Sequence, residues 1–335
     1  MKRDHPLDAG RRALARALVV AVAGVAAAGA ALAPVTALAQ DYPSRPVKML
    51  VGFSAGGGVD AIARTLAARL GEQMGQNFVV DNRPGATSTI AANVLVSSPP
   101  DGYTVLLADS SLLIASRAMQ NLSFDPLESF VPVAGVAIAP LAIAVAADSK
   151  LKSLEDMAAA AKAGDLNYAT SGIGTVHHLA MEHLQARANI KMTHLPYRGA
   201  SALLPDLISG QVDLGVLSAA AAKGQVQTKK IRVLGLTSPE KLEGATDWRP
   251  IAEWLPGFDA SPRLFFLAPS GTPPTIVARL ESELAKALKD PKVAQDLSMQ
   301  GFITTFRPGT ELRGGMEEEL ARWTELIKKS GIVLK

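Results

Sequence analysis

Leu50-Val51-Gly52-Phe53-Ser54-Ala55-Gly56-Gly57-Gly58-Val59-Asp60 passes from an apolar strand signal into a helix signal through a glycine-rich turn. Its reading decides the fold. Three patterns fit it. Gly52-Phe53-Ser54-Ala55-Gly56 is a G-x-S-x-G nucleophile elbow, which would make Ser54 the nucleophile of a secreted serine hydrolase. Gly56-x-Gly58-x-x-Ala61 fits a dinucleotide fingerprint, with Asp81 near where a ribose-binding acid would stand. The third pattern needs no chemistry: glycines leave backbone N–H groups bare at a helix N-terminus, where the amides and the helix dipole attract an anion. A plain tight turn without a ligand is the default against which all three are weighed.

Outward from this stretch, short apolar runs alternate with amphipathic ones. Strands are expected at 47–51, 78–80, 104–108, 141–146, 166–169, 212–217, 231–236 and 264–267. Helices are expected at 59–74, 90–97, 154–162, 176–188, 201–209, 274–288, 291–299 and 310–330. This is the pattern of an α/β protein with parallel sheets covered by helices. Two Pro-containing, non-periodic stretches, 124–140 and 240–262, read as crossings between domains. The expected division is a discontinuous first domain (40–140 plus 260–335) and a second domain (141–259), with the ligand cleft between them.

Residues 1–39 read as a cleaved signal peptide. Lys2, Arg3, Arg11, Arg12 and Arg16 precede an Ala-rich apolar run that ends in Ala37-Leu38-Ala39. Arg11-Arg12 leaves the twin-arginine and Sec routes both open. The location expected is therefore the periplasm. The full chain has 34 basic and 31 acidic residues, a net charge of +3. Taking away the five basic residues of the leader and its Asp4 and Asp8 leaves a neutral protein, so the charge offers nothing to nucleic acid. There is no cysteine, which rules out thiolate chemistry and disulfides. The histidines are His5, His177, His178, His183 and His194. None lies near the C-terminus, where a G-x-S-x-G hydrolase carries its own, and export argues against a nicotinamide cofactor. His178 and His183 are spaced i, i+5, whereas a helical metal pair needs i, i+4. No metal, cofactor or catalytic residue is expected.

A second loop of the first kind decides for anion binding. Ala169-Thr170-Ser171-Gly172-Ile173-Gly174-Thr175 follows a strand and opens a helix, with Thr175 or Ser171 placed to cap it. One such loop per domain offers two amide-lined ends to a carboxylate. Asp60 is expected to brace its loop rather than meet an anion, and Arg83 and Arg198 are candidate carboxylate partners beside turns.

The chain resembles the Bug-type (TctC-like) periplasmic solute-binding proteins of tripartite tricarboxylate transporters. The resemblance rests on Tyr42-Pro43-Ser44-Arg45-Pro46, the Phe53–Asp60 loop, Asp81-Asn82-Arg83-Pro84-Gly85-Ala86 and Pro100-Asp101-Gly102-Tyr103-Thr104. It continues in Tyr168–Thr175, Pro196-Tyr197-Arg198-Gly199, Gly210-Gln211-Val212-Asp213 and Leu267–Pro273. It implies a type II, Venus-flytrap fold and a receptor that captures a small di- or tricarboxylate, or an aromatic or other organic acid. The receptor would act as a monomer and serve transporter membrane subunits; a sensor feeding a signalling partner is the alternative. The ligand contacts it implies are Phe53, Ser54, Ala55 and Gly58 in the first domain, and Thr170, Gly174, Thr175 and Tyr197 in the second. Ser88 joins them because Thr87-Ser88-Thr89 departs from a more glycine-rich family turn and adds hydroxyls beside the cleft. Ala55 replaces a common proline, and Arg263 and Phe265 replace an aromatic and a glycine. The run Leu217-Ser218-Ala219-Ala220 lacks the acid that would receive an ammonium group, so a ligand without one is expected.

Overall fold

The protein is described by a computed structural model over residues 42–118, 122–164, 166–245 and 247–330. The expected leader, 1–39, lies outside them. The described residues form ten α-helices and eleven strands in two sheets. The strands are β1 (Val47–Val51), β2 (Phe78–Asn82), β3 (Thr104–Asp109), β4 (Phe130–Ile138), β5 (Leu141–Ala146), β6 (Asn167–Thr170), β7 (Thr193–Pro196), β8 (Leu214–Ser218), β9 (Ile231–Leu236), β10 (Arg263–Pro269) and β11 (Ile303–Pro308). The helices are α1 (Gly58–Met74), α2 (Thr89–Val96), α3 (Ser110–Ala118), α4 (Leu154–Ala163), α5 (Val176–Ala188), α6 (Ala200–Ile208), α7 (Ala219–Gln227), α8 (Pro274–Leu288), α9 (Pro291–Met299) and α10 (Gly309–Ser330). None of the described helices is long and apolar enough to cross a membrane.

The first sheet runs β11-β4-β10-β3-β1-β2 and the second β7-β6-β8-β5-β9. Both are mixed, which corrects the expectation of parallel sheets. Strands β1, β2 and β3 are parallel, while β10 runs against β3 and β4, and β11 against β4. In the second sheet β6, β7 and β8 are parallel and β5 runs against β8 and β9. The reason is the crossings. β1–β4 and β6–β9 all end at one edge of their sheet, so β5 and β10, which the chain enters from the other half, begin at that edge and run backwards.

The first crossing is also shorter than expected. The stretch 124–140 contains the nine-residue β4, whose Pro132 pairs with Leu267 next to a register shift, an arrangement that spares the ladder a missing donor. Ala139-Pro140 alone spans the gap. The 240–262 stretch is no bare linker either: Leu242, Ala245, Trp248, Ile251 and Phe258 are buried in the cores of the second sheet. The two crossings are tied together. Ala139 N donates to Pro262 O (2.8 Å), Leu141 N to Thr237 Oγ1 (3.0 Å) and Thr237 N to Leu141 O (2.9 Å). Thr237 Oγ1 and Ser261 Oγ lie 2.8 Å apart, both side chains buried.

Helix α10 joins the halves a third time. Leu312, Met316 and Leu320 pack with Leu50, Leu106 and Phe265 of the first sheet, whereas Trp323, Leu326 and Ile327 pack with Ile143, Tyr168, Leu184 and Val216 of the second. Trp323 is 1 % exposed and its Nε1 donates to Glu319 Oε1 at 3.0 Å. Trp323→Ala is expected to cost about 3–5 kcal/mol, read as a lower urea midpoint, and Trp323→Phe to recover most of it.

Candidate functional site

Because strands β1, β2, β3, β6, β7 and β8 all end at the shared edge, the loops that follow them collect there. The first is Gly52–Gly57. Gly56 has φ +82°, a left-handed conformation that favours glycine. Gly57 is the N-cap of α1 and supplies no side-chain acceptor, so the first turn of the helix keeps its bare amides. The amides of Phe53, Ser54, Ala55, Gly58 and Val59 donate to no acceptor among the described residues. Ser54, Ala55 and Gly58 are exposed and Phe53 is half-buried.

Asp60 holds this loop in shape, as expected of a brace. Its Oδ2 accepts from Gly56 N (2.8 Å) and Arg64 Nε (2.9 Å), and its Oδ1 accepts from Asn82 Nδ2 (2.9 Å). Asn82 Nδ2 also donates to Phe53 O at 3.0 Å. The Arg64 guanidinium, with the Gly56 and Asn82 donors, pulls the Asp60 carboxyl down to about 2 against its burial. Arg83 is held by its neighbour Asp81 in a bidentate pair at 2.9 and 3.1 Å, whereas Arg198 is exposed and has no ion-pair partner among the described residues.

The second loop is built differently. Thr175 caps α5, its Oγ1 accepting from His178 N (3.3 Å) and donating to Gly172 O (2.8 Å). Thr170 is buried, and its Oγ1 is engaged by His194 Nε2 (2.7 Å) and by both backbone groups of Gly172. Gly174 N donates to His178 Nδ1 at 3.1 Å. Tyr197 donates its hydroxyl to Asp206 Oδ2 (2.5 Å) and its backbone N–H to Thr170 O. The side chains of Thr170, Thr175 and Tyr197 and the Gly174 amide are thus spent on the loop itself. What the loop offers outward is the amides of Ser171, Ile173, Thr175, Val176 and His177, which have no acceptor among the described residues.

Behind it stands a ring stack around His178, whose other members, His194 and Tyr168, sequence reasoning missed. The His178 and His194 rings lie 3.8 Å apart, Tyr168 stacks on His194 at 4.9 Å, and Tyr168 donates to Glu182 Oε1 at 2.7 Å. His183 is elsewhere, stacked on Phe258, so it shares no site with His178. A second unforeseen element is the Gly301-Phe302 turn. Phe302 lies against Gly58, where a Cβ would meet its ring at 3.0 Å, and Gly301 lies against the backbone of Ala220 at the start of α7. Lys223 of α7 donates to Ser298 O at 3.0 Å on the same side.

Burial pushes His178 and His194 down to about 4. His178 must be neutral to accept the Gly174 N–H. With folded values below the unfolded one, the unfolded chain takes up protons first, so stability falls as pH drops from about 6.5 towards 4. The thermal midpoint is expected to fall between pH 7 and pH 5, and less steeply in His178→Gln.

Comparison with known proteins identifies the family. Residues 62–332 match the family model described as "Tripartite tricarboxylate transporter family receptor", TctC. Protein BugT of Bordetella pertussis is 33 % identical over 323 residues, covering 95 % of this chain and 97 % of that one. Rpa4515 of R. palustris, solved with adipate, superposes with a TM-score of 0.76 at 31 % identity, covering 88 % of this chain and 99 % of that one. MatC of Rhodopseudomonas palustris, solved with bound malate, superposes with a TM-score of 0.70 at 28 % identity, covering 85 % and 100 %. The two-sheet α/β fold is that of the periplasmic binding proteins, and the chain belongs to the tripartite tricarboxylate transporter receptor family as a solute-binding receptor.

Proposed function

We propose that this receptor captures a small organic acid in the periplasm, between the first loop (Phe53, Ser54, Ala55, Gly58, with Ser88) and the outward amides of the second (Ser171, Ile173, Thr175, Val176 and His177), and delivers it to transporter membrane subunits. The observation that carries the reading is the uncapped N-terminus of α1 with its free amides, in a loop that Asp60 braces through Gly56 N. Such an end favours negative charge without a buried arginine. The adipate and malate of Rpa4515 and MatC supply the ligand class. On this reading residues 40–140 plus 260–335 form one domain and 141–259 the other, and the paired crossings at Thr237, Leu141 and Ser261 form the hinge. Ligand contacts made by both halves would favour the closed state. The receptor would work as a monomer and without chemistry on its ligand. Among the described residues Ser54 donates to no histidine, and His177, His178, His183 and His194 are engaged within the second half by Ser171, Gly174, Phe258 and Thr170.

Thermal-shift titration against mono-, di- and tricarboxylates tests the reading. A dicarboxylate at a hundredfold excess over its Kd adds about 2.7 kcal/mol of stability, and adipate or malate is expected to raise the midpoint. A flat response to every carboxylate would overturn the proposal. The Ser218-Ala219-Ala220 start of α7 carries no acid, so aspartate and glutamate are expected to bind more weakly than malate in isothermal titration. Tight binding of either amino acid would refute that part.

A further inference from the structure

Ser88 stands at the root of the first loop in an unusual state. Thr87 and Ser88 both have positive φ, +55° and +70°, which strains residues that carry a Cβ. Ser88 is the N-cap of α2, yet its side chain makes no capping bond. The residue is 1 % exposed and its hydroxyl has no protein partner. A buried hydroxyl left in that condition costs free energy. The side chain is pressed instead against Gly52: a Cβ built on Gly52 would lie 2.3 Å from Ser88 Oγ and 2.4 Å from its Cβ. Gly52 is the residue before the free amides of Phe53, Ser54 and Ala55. A strained backbone thus presents an unspent donor to the loop that offers other unspent donors. Among the described residues the other buried hydroxyl without a partner, Thr304 Oγ1, belongs to β11 and not to this loop.

We infer that Ser88 is a specificity-determining contact, whose O–H donates to the ligand carboxylate held on the Phe53–Ala55 amides. The inference rests on the carboxylate reading above and adds to it the selection of an ionised group. The surrounding amides are all donors, so an oxygen that accepts several hydrogen bonds at once fits there. An ammonium group or the NH2 of a carboxamide does not. Gly52 is part of the same device, since any side chain at that position would displace Ser88.

The test compares wild type, Ser88→Ala and Ser88→Gly by isothermal titration with adipate, malate and citrate, alongside the thermal midpoint without ligand. Ser88→Ala keeps the Cβ and removes the donor. Its Kd for each acid that wild type binds is expected to rise about tenfold or more, the worth of a hydrogen bond to a charged group. Its unliganded midpoint is expected to equal or exceed that of wild type, because an unsatisfied group has been removed. Ser88→Gly should lose affinity equally and be more stable still, because the left-handed strain is relieved. Unchanged affinity in Ser88→Ala overturns the inference alone. So does a fall of several degrees in its unliganded midpoint, which would mark the hydroxyl as structural. If wild type binds none of the acids, the carboxylate reading and this inference fail together.

Discussion

The hydrogen bonds between the two crossing segments are the constraint on which the rest of the molecule depends. Leu141 and Thr237 exchange bonds through both the backbone and the Thr237 hydroxyl, and Ser261 completes the buried set. Fixing these residues fixes which edge of each sheet meets the other. That edge then collects the ends of β1 and β6, and with them both glycine loops. The reversed strands β5 and β10 follow from the same requirement, as does the position of the Gly301-Phe302 turn between Gly58 and Ala220.

The two loops reach the same chemical end by opposite means. In the first, the polar side chains that do the holding come from outside the turn: Asp60, Arg64 and Asn82 grip it from α1 and β2. In the second, the hydroxyls of Thr170 and Thr175 turn inward and a ring stack stiffens the loop from behind. On the proposed reading, the second loop leaves backbone N–H groups for a ligand, and the first adds the exposed Ser54 hydroxyl to its own. Backbone donors keep their position without rotamer entropy, which lowers the cost of ordering the site on binding.

Much of this was legible in the sequence because local signals and tertiary structure agree. β1, β5, β9, α5, α8 and α9 fall where the periodicity places them, and the two glycine loops are visible as glycines between a strand and a helix. β4 was hidden because Pro132 and Gly135 break a strand pattern that the register shifts accommodate. β7 is an edge strand whose Thr-His-Leu-Pro sequence carries no apolar run for periodicity to show. The spent hydroxyls of Thr170 and Thr175 could not be foreseen either. Residue type shows that a threonine can meet an anion, but not that His194 and Gly172 reach it first. The Ser88 position was marked by a hydroxyl in a glycine-rich turn, whereas its lack of a partner is a property of packing alone.

Helix α10 gives the joint between the halves its mechanical character. Two adjacent, hydrogen-bonded strands by themselves would act as a ribbon, free to bend and to twist. A helix with Leu312, Met316 and Leu320 seated in one core and Trp323, Leu326 and Ile327 in the other adds a strut away from that ribbon. Twisting would drag one set of seated side chains out of a close-packed interior, whereas bending about the ribbon disturbs them least. The joint leaves bending as its one soft degree of freedom, so that on the proposed reading occupancy of the cleft would be expressed as a single angle.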